Sequence, residues 1–223
     1  MTNMKVVNHA PQRGSSSNAN SAEPGVGDSP KRSYRMTARA QATRATWEAI
    51  LDVARVAFEH QPFDRVTLND VATQSGVTVQ TVIRRFGSKE QLFEAVARRE
   101  GARIKAARAV PEDADLETAL NALLDHYEED GDVILHLIAQ EHHWAQVGEV
   151  VREGRQVHRE WVKRHCRHVL TGAGGQERER RIHAAIAATD LSTWKLLRRD
   201  LGLERGEVAT IMIKLLNGIE EES

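Results

Sequence analysis

Residues 66–93, VTLNDVATQSGVTVQTVIRRFGSKEQLF, constrain this chain more than any other stretch, because they spell two short capped helices joined by a glycine turn. Thr67 is placed to cap the first helix, with Asp70 three residues on and Val66 and Val71 as a hydrophobic staple. Leu68, Val71 and Ala72 then share one face. Gln74-Ser75-Gly76 breaks this helix, and Gly76 is free to take the positive φ of a tight turn. Thr78 caps the second helix, stapled by Val77 and Val82. That helix buries Val82 and Phe86 and turns Thr78, Val79, Gln80, Thr81, Arg84 and Arg85 outward. Gly87 stops it, and Ser88-Lys89-Glu90-Gln91 is a capping box for a third helix. A second helix reached through a short glycine turn and studded with base-reading side chains fits a DNA major groove.

Gln80 and Arg84 are the expected readers of base edges, since Gln pairs in bidentate fashion with adenine and Arg with guanine. Val79 and Ile83 are apolar and suit thymine methyls. Thr67, Thr78, Thr81, Arg85 and Lys89 suit phosphates, which fix orientation without reading sequence. Thr67 and Lys89 sit at helix N-termini, where the helix dipole favours an anion. Capping alone also accounts for Thr67 and Thr78.

The pattern begins earlier, with RATWEAILDVARVAFEH (44–60), whose Trp47, Ile50, Leu51, Ala54 and Phe58 form one stripe. It runs on through PFDRVTLNDVATQSGVTVQTVIRRFGSKEQLFEAV (62–96). In order and spacing these pieces resemble the TetR family of bacterial transcriptional regulators. Ile83 and Arg85 stand where many members carry a Tyr followed two residues later by His or Tyr. The phosphate contact of that Tyr is therefore not carried over.

The overall charge of −1 hides an asymmetry. Residues 31–105 hold 14 basic and 8 acidic side chains, whereas residues 111–223 hold 14 basic and 22 acidic ones. A basic first half and an acidic second half fit a nucleic-acid reader joined to a module kept off the DNA. Aromatic residues make up only 4% of the chain, which with abundant Ala, Leu and charge favours helices. No apolar run is long enough to span a membrane, and the polar N-terminus lacks the core of a secretory signal. A lone Cys166 rules out an intrachain disulfide and fits a cytoplasmic location.

Three regions are expected: a disordered tail over 1–36, basic at Lys31–Arg35 and suited to a minor groove or to a plain linker; a three-helix DNA-binding domain over 37–95; and a larger helical ligand-binding and dimerisation domain over 96–223. The fold class is all-α. Within the last region the spacing predicts helices over 115–129, 133–144, 147–170, 176–200 and 204–219, with Gly131 and the 171–175 segment as breaks. The end of the chain, AATDLSTWKLLRRDLGLERGEVATIMIKLLNGI, also resembles TetR-family termini. That resemblance implies a homodimer packed through Ile182, Ile186 and Leu197 on one helix and Val208, Ile211, Leu215 and Ile219 on the other. An internal core face has the same periodicity.

Eight of the ten histidines lie in the second half, beside Tyr127, Trp144 and Trp161. Tyr127, His143, Trp144, His158, Trp161 and His165 are candidates for a pocket that takes an aromatic or amphipathic molecule. The spacings match no zinc pattern, so no metal and no cofactor is expected. Neither a P-loop nor a nucleophile elbow is present, so no enzyme is expected. The resulting expectation is a homodimeric repressor that a small-molecule effector releases from a palindromic DNA operator. A DNA-binding protein of this fold acting without an effector is the alternative, and a helical enzyme or metal-handling protein a more distant one.

Overall fold

The structure, a computed structural model, describes residues 30–219, with side chains from residue 39 onward. It divides into two units, Met1–Ala42 and Thr43–Ser223, and the second holds both hydrophobic cores described here. Among the described residues the secondary structure is helical throughout. None of these helices is long and apolar enough to cross a membrane.

α1 (Pro30–His60) leads to α2 (Leu68–Gln74), α3 (Val79–Phe86) and α4 (Lys89–Ala107). All three expected caps form. Thr67 accepts from the Asp70 N–H, Thr78 from that of Thr81 and Ser88 from that of Gln91. Gly76, at φ 68°, makes the turn between α2 and α3. Ile50, Leu51, Ala54 and Phe58 of α1 then bury against Val71, Val82, Leu92 and Phe93. Each of the Ile, Leu, Val and Phe side chains contributes about 1.5–3 kcal/mol of burial.

α5 (Leu116–Ile138), α6 (Ala145–His165), α7 (Arg167–Leu170), α8 (Gly175–Thr189), α9 (Leu191–Trp194) and α10 (Arg205–Asn217) enclose a second core. Leu120, Leu123 and Leu124 of α5 meet Val162, Ile182, Trp194, Val208, Met212 and Leu216 there. α6 serves both cores, because its Val147 and Val151 belong to the first and its Trp161 and Val162 to the second.

Several expected boundaries move. Of the expected tail, residues 1–29 lie outside the described residues, but residues 30–36 already belong to α1. Pro30 suits the first position of a helix, and the Arg, Met, Ala and Gln that follow favour helix. Gly131 does not break a helix; α5 runs through it unbroken. Its role is close approach, since a Cβ there would stand 2.6 Å from the Trp194 ring. The helix expected over 147–170 breaks at Cys166, and the one over 176–200 breaks at Asp190. Asp190 caps α9 by accepting from the Ser192 N–H. The chain then continues as a π-helical turn over Lys195–Asp200.

Candidate nucleic-acid interface

α3 lies on the first core through Val82, which is fully buried, and leaves Thr78, Gln80, Ile83, Arg84 and Arg85 exposed. Val79 and Thr81 are half-buried at its edge. Gln80 and Arg84 are thus available on an outer face, and Ile83, 40% exposed, is an apolar side chain facing water beside them. A helix held by a buried valine and presenting an amide, a guanidinium and an apolar methyl group has the chemistry of major-groove reading.

The residues expected on phosphates fall into different situations. The Thr67 hydroxyl donates to Asp70 Oδ2 at 2.6 Å while accepting from the Asp70 N–H, so it is engaged by its own helix. Thr78 and Thr81 share a hydroxyl–hydroxyl hydrogen bond of 3.0 Å. The Arg85 guanidinium lies over the Trp47 ring, 4.4 Å from its centroid, which holds it at the junction of α1 and α3. Trp47 in turn packs on Phe86. Sequence reasoning placed Trp47 only in the core stripe and missed this positioning contact, which links residues 38 positions apart.

Lys89 corrects an expectation. Its ammonium donates to Phe63 O at 2.9 Å and sits over the Phe63 ring at 4.5 Å. With those partners it ties the start of α4 to the loop after α1 instead of standing free for a phosphate. The reason is tertiary: the chain turns back so that Phe63 O faces the first turn of α4.

The same loop is gripped from the second region. Gln140 Oε1 accepts from the Phe63 N–H at 2.8 Å, and His136 Nε2 donates to Gln61 O at 3.2 Å. Trp144 packs against Phe63 at 5.3 Å between ring centroids. Ion pairs add to these links: Arg99 of α4 pairs with Asp52 of α1 at 2.9 Å, and Arg103 pairs with Glu129 of α5 at 2.9 Å.

The six candidates for an effector pocket do not form one set. Trp144 belongs to the edge of the first core, and His143 is exposed on the turn before α6. Tyr127, His158, Trp161 and His165 do come together. The His158 and Trp161 rings stack at 5.8 Å and 8°, and Trp161 lies 5.3 Å from His165. The Tyr127 hydroxyl donates to Thr189 O at 3.1 Å, while Thr189 Oγ1 meets His158 Nε2 at 3.2 Å. Burial, together with the charge of Arg108, pushes the His158 pKa down to about 4, so this imidazole is neutral at pH 7. Burial alone pushes the Cys166 thiol up to about 12, which keeps it an unreactive part of the core. Among the described residues, no three His, Cys, Asp or Glu side chains gather as a metal site requires.

The expected dimer stripe also divides. Ile182, Leu197 and Val208 are buried within the chain's own second core, so they are corrected from interface to interior. Ile186, Ile211 and Ile219 are half-buried, and Leu215 is 48% exposed. On α10 the inward set is Val208, Met212 and Leu216, one position round from the expected one.

Residues 50–96 match the model of a family described as bacterial regulatory proteins, tetR family. Among solved structures, a tetR-family transcriptional regulator from Streptomyces coelicolor shares 18% identity with a TM-score of 0.62, over 79% of this chain and 80% of that one. A TetR-like transcriptional regulator from Rhodococcus sp. RHA1 shares 22% identity with a TM-score of 0.61, over 79% of this chain and 97% of that one. No curated protein gives a match.

Proposed function

We propose that this chain, a TetR-family transcriptional regulator by its residues 50–96 and its fold, acts as a homodimeric repressor that a small-molecule effector releases from a palindromic operator. The observation that carries this reading is α3, a capped helix whose exposed face offers Gln80, Ile83 and Arg84 together. In a dimer, two such helices enter successive major grooves about 34–36 Å apart. The exposed Leu215, with Ile211 and Ile219 half-buried nearby, supports pairing through α10. The DNA-binding and effector-dimerisation regions keep the boundaries 37–95 and 96–223 in this proposal. A cytoplasmic location follows from the function.

Effector control needs a physical link between the two regions, and α4 supplies it. Its first turn is fixed to the loop after α1 by Lys89, and its later turns are paired with α1 and α5 by Arg99 and Arg103. An effector that binds one setting of α4 more tightly than another shifts the spacing of the recognition helices by that difference in affinity. Selection of bound fragments from random duplex DNA by the full chain tests the proposal. A palindrome with half-sites about one helical turn apart is expected. Recovery of no preferred sequence, or of a single unpaired half-site, rejects it.

A further inference from the structure

α3 carries no acidic residue, and neither Arg84 nor Arg85 pairs with a carboxylate among the described residues. Arginines of α1 and α4 do, Arg55 with Glu59 and Arg99 with Asp52. Arg85 has a ring in place of a carboxylate. Its guanidinium carbon lies 4.4 Å from the centroid of Trp47 on α1, and no described residue accepts a hydrogen bond from its N–H groups. Glu48, the acidic residue next to Trp47 in sequence, is turned to Arg99 at 3.4 Å. A guanidinium lying over a ring uses its face for that contact and keeps the N–H groups of its edge for an anion.

Packing alone does not account for the indole at position 47. The ring is half-buried on the rim of the first core and tilted against Phe86, with 6.5 Å between centroids. Its Nε1–H is enclosed and finds no acceptor. An enclosed donor without a partner is destabilising, and a leucine or phenylalanine fills such a space without one. What indole adds over either is the most favourable ring face for a cation. Trp47 also stands on a fixed support, because Ile50, Leu51 and Ala54 of the same helix are buried in the core that holds Val82 of α3. Through the ring that support reaches the end of Arg85, a long side chain otherwise free among many rotamers. Arg85 follows Arg84 at the edge of the outer face of α3, where the sugar–phosphate backbone runs when a helix lies in a major groove.

We propose that Trp47 is a positioning residue for DNA binding, which holds Arg85 with its N–H edge toward one phosphate at the side of the groove that α3 enters. This rests on the DNA-binding reading above and adds to it a residue of α1 that acts without touching DNA. The contact fixes the orientation of α3 and reads no base, so it acts alike on every sequence.

The test measures binding of the full chain to the selected operator duplex and to a random-sequence duplex, each from about 50 to about 200 mM salt. Arg85→Ala should lower the slope of log affinity against log salt by about one on both duplexes and weaken both by about fivefold at physiological salt. Trp47→Met, which fills the space beside Phe86 without a ring face, should weaken both about threefold in the parent and leave the Arg85→Ala background unchanged. Trp47→Phe, which keeps a ring, should lie between the parent and Trp47→Met. A tryptophan that only packs changes affinity equally in both backgrounds, and that result overturns the proposal. An unchanged salt slope in Arg85→Ala overturns it too, as does a loss confined to the operator, which makes Arg85 a base reader. Arg85→Lys supplies a check that does not depend on the Trp47 variants folding. It keeps the charge and loses the planar face, so it should keep the parent's slope and bind about threefold more weakly; binding as tight as the parent's overturns the positioning role. A parent chain that binds neither duplex removes the DNA-binding reading and this proposal with it. A parent that binds both, with the Arg85 and Trp47 variants unaltered, removes this proposal alone.

Discussion

The two cores of this chain are built on different terms. Beneath the recognition helix the buried side chains are apolar, and three phenylalanines lock together, Phe93 standing edge-on to Phe58 at 5.1 Å and to Phe63 at 5.4 Å. The second core has apolar walls but also holds the buried polar side chains His126, His158 and Thr189, with Tyr127 beside them. A dry aromatic core gives a rigid platform, as a helix that must present Gln80 and Arg84 in fixed register requires. A core with polar groups inside gives up stability for chemistry that a ligand can complete. In this protein the core beneath α3 is apolar and aromatic, and the second core holds buried polar side chains.

The largest expected effect probes the rigid side. Phe93→Ala removes the hub of the aromatic cluster and should cost about 3–5 kcal/mol in denaturant unfolding of the full chain. A loss below about 1 kcal/mol means that the platform is not held by this cluster. The next prediction probes the polar side through pH. The unfolded His158 imidazole takes up a proton near pH 6.5, the folded one only near pH 4. Between those values the unfolded state binds the extra proton, so stability is complete above about 6.5 and declines as pH falls toward 4. The loss amounts to as much as about 3 kcal/mol. His165, whose pKa is also lowered chiefly by burial, contributes in the same direction. Unfolding of parent and His158→Gln across this range decides the matter, since an equal slope in both removes His158 as the cause.

Smaller effects sharpen the contrast within the DNA-binding region itself. Arg84→Ala should weaken binding to the selected site by about 1–3 kcal/mol and relax one position in each half-site. Unchanged base preferences in a repeated selection would reject its role as a reader. Lys89→Ala should act on the fold instead, costing about 1–2 kcal/mol of stability with no change in the salt dependence of DNA binding. A salt slope smaller by about one returns Lys89 to the phosphates.

The second core was far less legible in the sequence than the helix-turn-helix. Caps, staple and glycine turn lie within a few residues of one another, so Thr67, Thr78, Ser88 and Gly76 could be recognised by spacing alone. The polar cluster of the second core draws on α5, α6 and α8, and no spacing links Tyr127 to His158 or Thr189. Trp144 and Trp161 were grouped by composition, yet one packs on Phe63 and the other on His158 and His165.

By itself, then, the sequence determined what depends on local chemistry: the helical class, the capped helix-turn-helix and the outward set on α3, because hydrogen bonds to the first free N–H groups and a 3.6-residue stripe act over short separations. Tertiary structure decided what depends on which surfaces meet. It turned Gly131 from a helix break into the seat of Trp194 and drew Ile182, Leu197 and Val208 inward. It also set Lys89 on the Phe63 carbonyl. Periodicity shows that a helix has an apolar face but not which neighbour covers it, and a charge has the same letter whether water or a protein core surrounds it.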